Sequence, residues 1–255
     1  MMRVLRRALG IPLVVSAAGL LCSSTAWAAP ADEPDSLLSR PIALIVALAL
    51  VSLAPFAFMA LTAFVKISTV LQIARGAIGA QNVPSNTVVM ALAAALTLVA
   101  MAPVGSRIAD RAAPVLADPA SKDTAVLTQG LVDAAREPLR AFLKANASDT
   151  ERVRFYEAAR MARPEADRGT VGKDDLIVLI PAFMVTELTE AFALGFLIYL
   201  PFLVIDLVVA NVLLALGMQM LNPTQVSLPF KLLLFVALDG WGLLARSLLS
   251  GYSAG

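Results

Sequence analysis

The run GMQMLNPTQVSLPFKLLLFVALDGW, Gly217 to Trp241, decides how the chain folds. From Leu228 onward it is apolar enough for lipid. Yet it carries Lys231 and Asp239, and it opens on a polar turn with two methionines, Met218 and Met220, around Gln219. NPTQVS, Asn222 to Ser227, reads as a chain reversal, with Ser227 placed to cap a helix and Pro229 in its first turn. That predicts a membrane helix from Leu228 to Leu249. The apolar run before the turn, Leu176 to Leu221, is too long for one perpendicular crossing at about 1.5 Å per residue. We divide it into a helix from Leu176 to Ala191, outside the hydrocarbon or buried in protein, and a span from Phe192 to Leu216. Pro181 and Pro201 are candidate bends, and Glu187 and Glu190 in VTELTE share a helix face. Residues 176–255 thus form a transmembrane hairpin whose tip is the methionine turn.

Composition agrees with a membrane protein. The 255 residues are 59% apolar and 15% charged, with a mean hydropathy of +0.80, too oily for a soluble domain of this size. The net charge of +1 points to no nucleic-acid surface. There is no histidine and one cysteine, Cys22. Histidine-dependent triads, histidine-ligated zinc or haem and cysteine-ligated clusters are therefore excluded, and no cofactor is expected.

Arg3, Arg6 and Arg7 precede an apolar run from Ala8 to Leu21, and Ala26-Trp27-Ala28 completes the pattern of a signal peptide, residues 1–28. Residues 29–41 read as a linker. Pro41 to Val65, 25 uncharged residues, are long enough to span a core about 30 Å thick, with a kink expected at Pro55. Lys66 to Asn86 contains Lys66 and Arg75 and no acid. A short basic loop belongs on the cytoplasmic side, which agrees with a signal peptide that leaves the mature N-terminus outside. Val88 to Val104 returns the chain, so that residues 42–104 make a first hairpin. Gly105 to Asp175 holds 12 basic and 12 acidic residues and amphipathic stretches such as LVDAAREPLRAFLKA, as expected of a water-exposed helical domain. The expected fold is all-α, with about four transmembrane helices in two hairpins and a helical periplasmic domain, 105–175, between them.

Lys231, three residues past Leu228, lies roughly 4.5 Å into its helix, and its stem reaches the interface. Asp206 is 11 residues before Gly217 and Asp239 is 11 after Leu228, so each is expected roughly 16 Å deep. An intramembrane carboxylate costs several kcal/mol unless it faces protein or water, so both imply a bundle interior, an interface or a pore. Two acids at matched depth also suit a proton-sharing protease dyad, although the Gly two positions upstream of the aspartate is missing. A proton- or solute-coupled transporter using Asp206 and Asp239 is the stronger alternative.

The residues FLIYLPFLVIDLVVANVLLALGMQMLNPTQVSLPFKLLLFVALDGW, FVKISTVLQIARGAIGAQNVPSN and MAPVG, kept in order from Ile42 to Tyr252, resemble the FliP/SctR family of type III secretion export-gate proteins. The FLIYLPF and TELT motifs lean to the injectisome branch; the signal peptide leans to the flagellar one. The resemblance implies a non-enzymatic inner-membrane pore subunit that conducts unfolded secreted proteins. It implies five copies together with FliQ/SctS-like and FliR/SctT-like subunits, export-gate and switch proteins, inside the secretion basal body. It further implies a methionine gasket, here Met218, Gln219 and Met220, with Gln219 standing where many members carry another Met. Lys231, Asp206, Asp239 and Glu187 then become intramembrane charges for assembly, and no ion pair is carried over to Glu190. The sequence has no Gly-rich phosphate loop followed by Lys-Ser or Lys-Thr, so energy for export has to come from a partner.

Overall fold

The computed structural model describes residues 36–80, 83–117 and 124–252; the expected signal peptide lies outside them. Every described regular element is helical: α1 (Ser36–Leu61), α2 (Phe64–Ile78), α3 (Asn86–Ala117), α4 (Thr124–Asn146), α5 (Asp149–Met161), a short 3-10 turn (Glu165–Thr170), α6 (Leu176–Ala215), α7 (Pro223–Ala237) and α8 (Gly240–Ser250). The chain divides into two units, one ending at Val51 and a second, Ser52–Gly255. Of the first, only the helix of residues 36–51 is described, and it begins inside the expected linker.

Helices α3 and α6 are each long and apolar enough to cross a membrane. The other two candidates pass only as bent pairs: Ser52–Leu61 with α2, at 79°, and α7 with α8, at 57°. The described residues are thus all-α, with two to four candidate membrane spans, as expected of a multi-pass membrane protein. Within the first pair the bend is not at Pro55, which lies inside α1, but at Thr62–Ala63. There the Thr62 hydroxyl donates to the Phe58 carbonyl and accepts from the Phe64 amide at 3.4 Å, a local alternative to the helical ladder. The expected cytoplasmic loop from Lys66 is consequently the helix α2.

Two further expectations about helix ends are corrected. Helix α3 continues past Val104 to Ala117, with Pro103 and Pro114 inside it. The division at Ala191 does not exist either, because α6 is one helix of 40 residues with Pro181 and Pro201 in its interior, about 60 Å long. Its two halves are packed differently. The first half lies against α4 and α5, where Leu179, Ala182 and Phe183 share a core with Val104, Phe142 and Leu143. The second half bears exposed Phe196, Leu197, Leu203, Leu207 and Val212, an apolar surface that needs lipid or protein around it.

The membrane core is built around α2. Ile67, Val70, Leu71, Ala74 and Ala77 pack with Val89 and Ala93 of α3, Ala191 and Phe202 of α6, Phe235 of α7, and Leu244 and Leu248 of α8. Close approach of α2 to α6 depends on Gly195, where an added Cβ would meet Ile73 Cδ1 at 2.5 Å. Small residues permit such contacts between helices in lipid. Gly195→Val is therefore expected to cost about 1–3 kcal/mol by overpacking, read as a lowered Tm in detergent. An unchanged Tm would count against this packing.

The water-facing cap is tied down by polar contacts at the start of α6. Asp174 accepts from Lys144 at 2.6 Å and from Arg152 at 2.8 Å, and the Ser148 amide donates to Thr186 Oγ1 at 3.0 Å. The Lys144 hydrogen bond, with the charges of Lys144 and Arg152, holds the Asp174 carboxyl below its usual value against the opposing effect of burial. A lowered folded-state pKa stabilises above the unfolded value of about 4, and the benefit disappears as pH falls through the folded value. Lys144 and Asp174 are about half exposed and Arg152 partly so, so each pair is worth at most about 1 kcal/mol. Corrected for the intrinsic slowing of amide exchange in acid, the protection of α4 and α5 should fall modestly between pH 5 and pH 3, and Asp174→Asn should remove that acid-dependent part.

Candidate functional site

The methionine turn is fixed at both ends by local chemistry. Helix α6 stops because Gly217 adopts a left-handed conformation, φ 74. The Met218 amide then donates to the Leu213 carbonyl at 2.9 Å and the Gly217 amide to Leu214 at 3.0 Å, the paired hydrogen bonds of a Schellman ending. On the far side Asn222, not Ser227, caps α7: its side chain accepts from the Thr224 amide at 3.0 Å, with Pro223 as the first helical residue. An Asn-Pro pair outcompetes a serine five residues later because it satisfies a free amide and presets φ at once. The turn is short and held, and its side chains project outward. Met218 is 45% exposed and Met220 98% exposed, with Gln219 exposed between them.

Behind the turn lies an ion pair. Lys231 does not snorkel. It is 2% exposed, donating to Asp206 Oδ2 at 2.6 Å and to the Ala77 carbonyl at 3.3 Å. Ser227, displaced from its expected capping role into the helix, donates its hydroxyl to Asp206 Oδ1. One cluster therefore joins the end of α2, the second half of α6 and the first turns of α7. In place of a free mid-membrane acid, the structure shows a carboxylate with two partners.

Asp239 is not the depth-matched partner of Asp206. The expected span from Leu228 to Leu249 breaks where Asp239 takes a left-handed conformation, φ 49 and ψ 50, a region Asp tolerates better than most residues. Depth counted along one straight helix consequently fails there. The exposed Asp239 carboxylate lies over the first turn of α8, so close that a Cβ on Gly242 would meet Oδ2 at 2.3 Å. A negative charge is favourable at that helix start.

A second buried cluster occupies the other half of α6. Lys66, read from sequence as a loop charge, is buried and contacts Glu187 Oε1 at 3.0 Å and Glu190 Oε2 at 2.6 Å. The two glutamates share a face as their spacing predicts, and Glu190 does form an ion pair. Glu187 is 1% exposed, and its Oε2 accepts from the Tyr252 hydroxyl. That hydroxyl also lies 3.2 Å from the Ala63 carbonyl, and Lys66 sits 4.6 Å from the Tyr252 ring centroid. Burial, then the neighbouring Glu187 charge, pushes the Tyr252 hydroxyl pKa up and keeps the proton in place. Lys66, Glu190, Ser227 and Tyr252 were not legible as partners from spacing alone. The available clue for Lys66 was a lone cation inside the apolar run FVKIST.

Among the described residues no cluster of metal-ligating side chains occurs. The sequence model of the FliP family matches residues 47–248. The chain is similar to the Pathogenicity-related ORF2 of Xanthomonas campestris pv. glycines, 46% identical over 209 residues, which are 82% of this chain and 95% of that one. It is also similar to the Hypersensitivity response secretion protein HrcR of Ralstonia nicotianae, 45% identical over 210 residues, with 82% and 96% of the two chains covered. The Yop proteins translocation protein R of Yersinia pestis is 42% identical over 215 residues, covering 84% and 98%.

Proposed function

The chain belongs to the FliP family, and from that premise we propose that its methionine turn lines and seals the protein-conducting pore of a bacterial type III secretion export apparatus. The export role itself follows from family membership and from relatives named for secretion and translocation. Those names favour export over the transporter alternative and, being pathogenicity and translocation proteins, the injectisome branch.

One observation carries the assignment of the turn: Met220 stands 98% exposed at the tip of a hairpin held at both ends. A flexible, polarizable thioether conforms to varied surfaces. Repeated around a ring of copies, such side chains make a soft apolar constriction that deforms around a passing chain. Gln219 makes this ring less uniformly apolar. In this reading several copies, five by family expectation, assemble with FliQ/SctS-like and FliR/SctT-like subunits in the inner membrane. The mature N-terminus and residues 105–175 face the periplasm. The ion pairs at Lys231 and Asp206 and at Lys66 and Glu187 hold the hairpins rigid enough to present the turn, and Asp239 remains exposed for a neighbouring subunit. The chain serves as structure and conduit rather than as an enzyme, and a partner supplies the energy.

Met218→Ala combined with Met220→Ala should leave the complex assembled while raising resting permeability to small ions several-fold. The readout is conductance or dye flux across membranes carrying the whole apparatus. Unchanged permeability with intact assembly would contradict the seal.

A further inference from the structure

Helix α8 is attached differently at its two ends. At its start the chain turns by 57° on a single left-handed residue, Asp239. Two glycines make that turn possible. A Cβ on Gly240 would meet the Phe235 ring at 2.3 Å, and one on Gly242 would meet the Asp239 carboxylate at 2.3 Å. Hinges are commonly a few terminal residues of this kind, able to absorb a change in φ and ψ.

At its far end Tyr252 carries the attachment. Its hydroxyl donates to Glu187 and lies near the Ala63 carbonyl, and its ring stacks on Phe142 at 6.1 Å. Beside this contact is a polar cavity of about 230 Å³ lined by Lys66, Thr186, Glu187, Glu190 and Gly251. Glu187 Oε1 reaches Lys66 in a geometry short of a hydrogen bond, so water entering this cavity can donate to the carboxylate and compete with the tyrosine hydroxyl for it.

Between hinge and anchor, α8 packs on α3 and α7. Its inner face, Leu244 and Leu248, walls an apolar groove of about 400 Å³ whose other walls include Leu197, Pro201 and Phe235.

We infer that α8 is a strap, hinged at Asp239–Gly240 and latched by the Tyr252 hydroxyl on Glu187, whose release lifts it from the groove between α6 and α7. The strap depends on contacts within one chain, whether or not the methionine turn seals a pore. Local opening of this sort is governed by the contacts broken, not by the stability of the whole fold. Tyr252→Phe removes the latch oxygen and keeps the ring.

The test uses the full chain in lipid nanodiscs with Cys22→Ala and a single reporter. Position 248 lies on the buried face of α8 itself, so Leu248→Cys reacts with a maleimide only when the strap lifts; Ala93→Cys, in the α3 core, reports general loosening. Tyr252→Phe should accelerate labelling at position 248 about tenfold, equivalent to about 1.4 kcal/mol, and leave position 93 unchanged. An unchanged rate at 248, or equal acceleration at both positions, would overturn the strap.

Discussion

Asp206→Ala is expected to destabilise the protein by about 3–5 kcal/mol, among the largest effects of any single substitution here, because it strands the ammonium of Lys231. Lys231 is 2% exposed, and the remaining Ala77 carbonyl at 3.3 Å carries only a partial charge. Breaking such a pair by removing one partner is far costlier than replacing both. Asp206→Leu combined with Lys231→Met should therefore recover most of the loss. Equilibrium unfolding in detergent, followed by helical circular dichroism, measures all three proteins. A single substitution costing less than about 1 kcal/mol, or a double no better than the single, would mean that the ammonium finds another partner. Asp206→Asn should fall between, since it keeps an acceptor for Ser227 and Lys231 but loses the charge.

Lys66→Met is the second large effect, expected at about 3–5 kcal/mol for the same physical reason with the signs reversed. It leaves Glu187 buried, with Glu190 one turn away and the Tyr252 hydroxyl its remaining donor. Glu190 is more than half exposed at its side chain, so Glu190→Gln should cost less than about 1 kcal/mol. The loss from Lys66→Met should also be confined. Exchange should rise in the start of α2, the middle of α6 and the C-terminal segment, while the Asp206 and Lys231 region keeps its protection. Uniform acceleration would argue that the two clusters are one cooperative unit instead of two separate clamps.

The pattern of what the sequence disclosed follows from which forces are local. The methionine turn was legible because its determinants sit within a few residues: Gly217 for the left-handed ending, Asn222 and Pro223 for the next start. The choice of Ser227 as cap overlooked the better pair upstream. The shared face of Glu187 and Glu190 followed from helical spacing alone. Partners were not legible, because Lys66 and Glu187 are brought together by the packing of α2 on α6, which no spacing encodes. The same holds for Tyr252, whose hydroxyl finds Glu187 only once α8 has folded back.

Helix breaks were misplaced for a related reason. Prolines 55, 181 and 201 looked like bends, yet lie inside helices, where lipid-embedded packing tolerates them. The breaks fall instead at Thr62–Ala63 and Leu238–Asp239, set by a threonine hydroxyl and a left-handed aspartate. Treating Leu228 to Leu249 as one straight helix then matched Asp239 with Asp206 in depth. The actual partner of Asp206 is Lys231, one helix away and already in the opening stretch of sequence.

These two clamps bear on the role proposed for the exposed turn. A side chain that seals a pore has to be held by a scaffold that does not yield when a polypeptide passes. Buried ion pairs at both halves of α6 supply that rigidity at positions where lipid would otherwise exclude charge.

The central claim, that the methionine turn contacts the translocating chain, is tested most directly by placing a photoreactive amino acid at position 220 in the intact apparatus while a secreted protein is stalled in transit. The account predicts crosslinks to the stalled chain from position 220 and none from position 98, where Leu98 is exposed on α3. No crosslink from position 220, or equal yields from both positions, would contradict it.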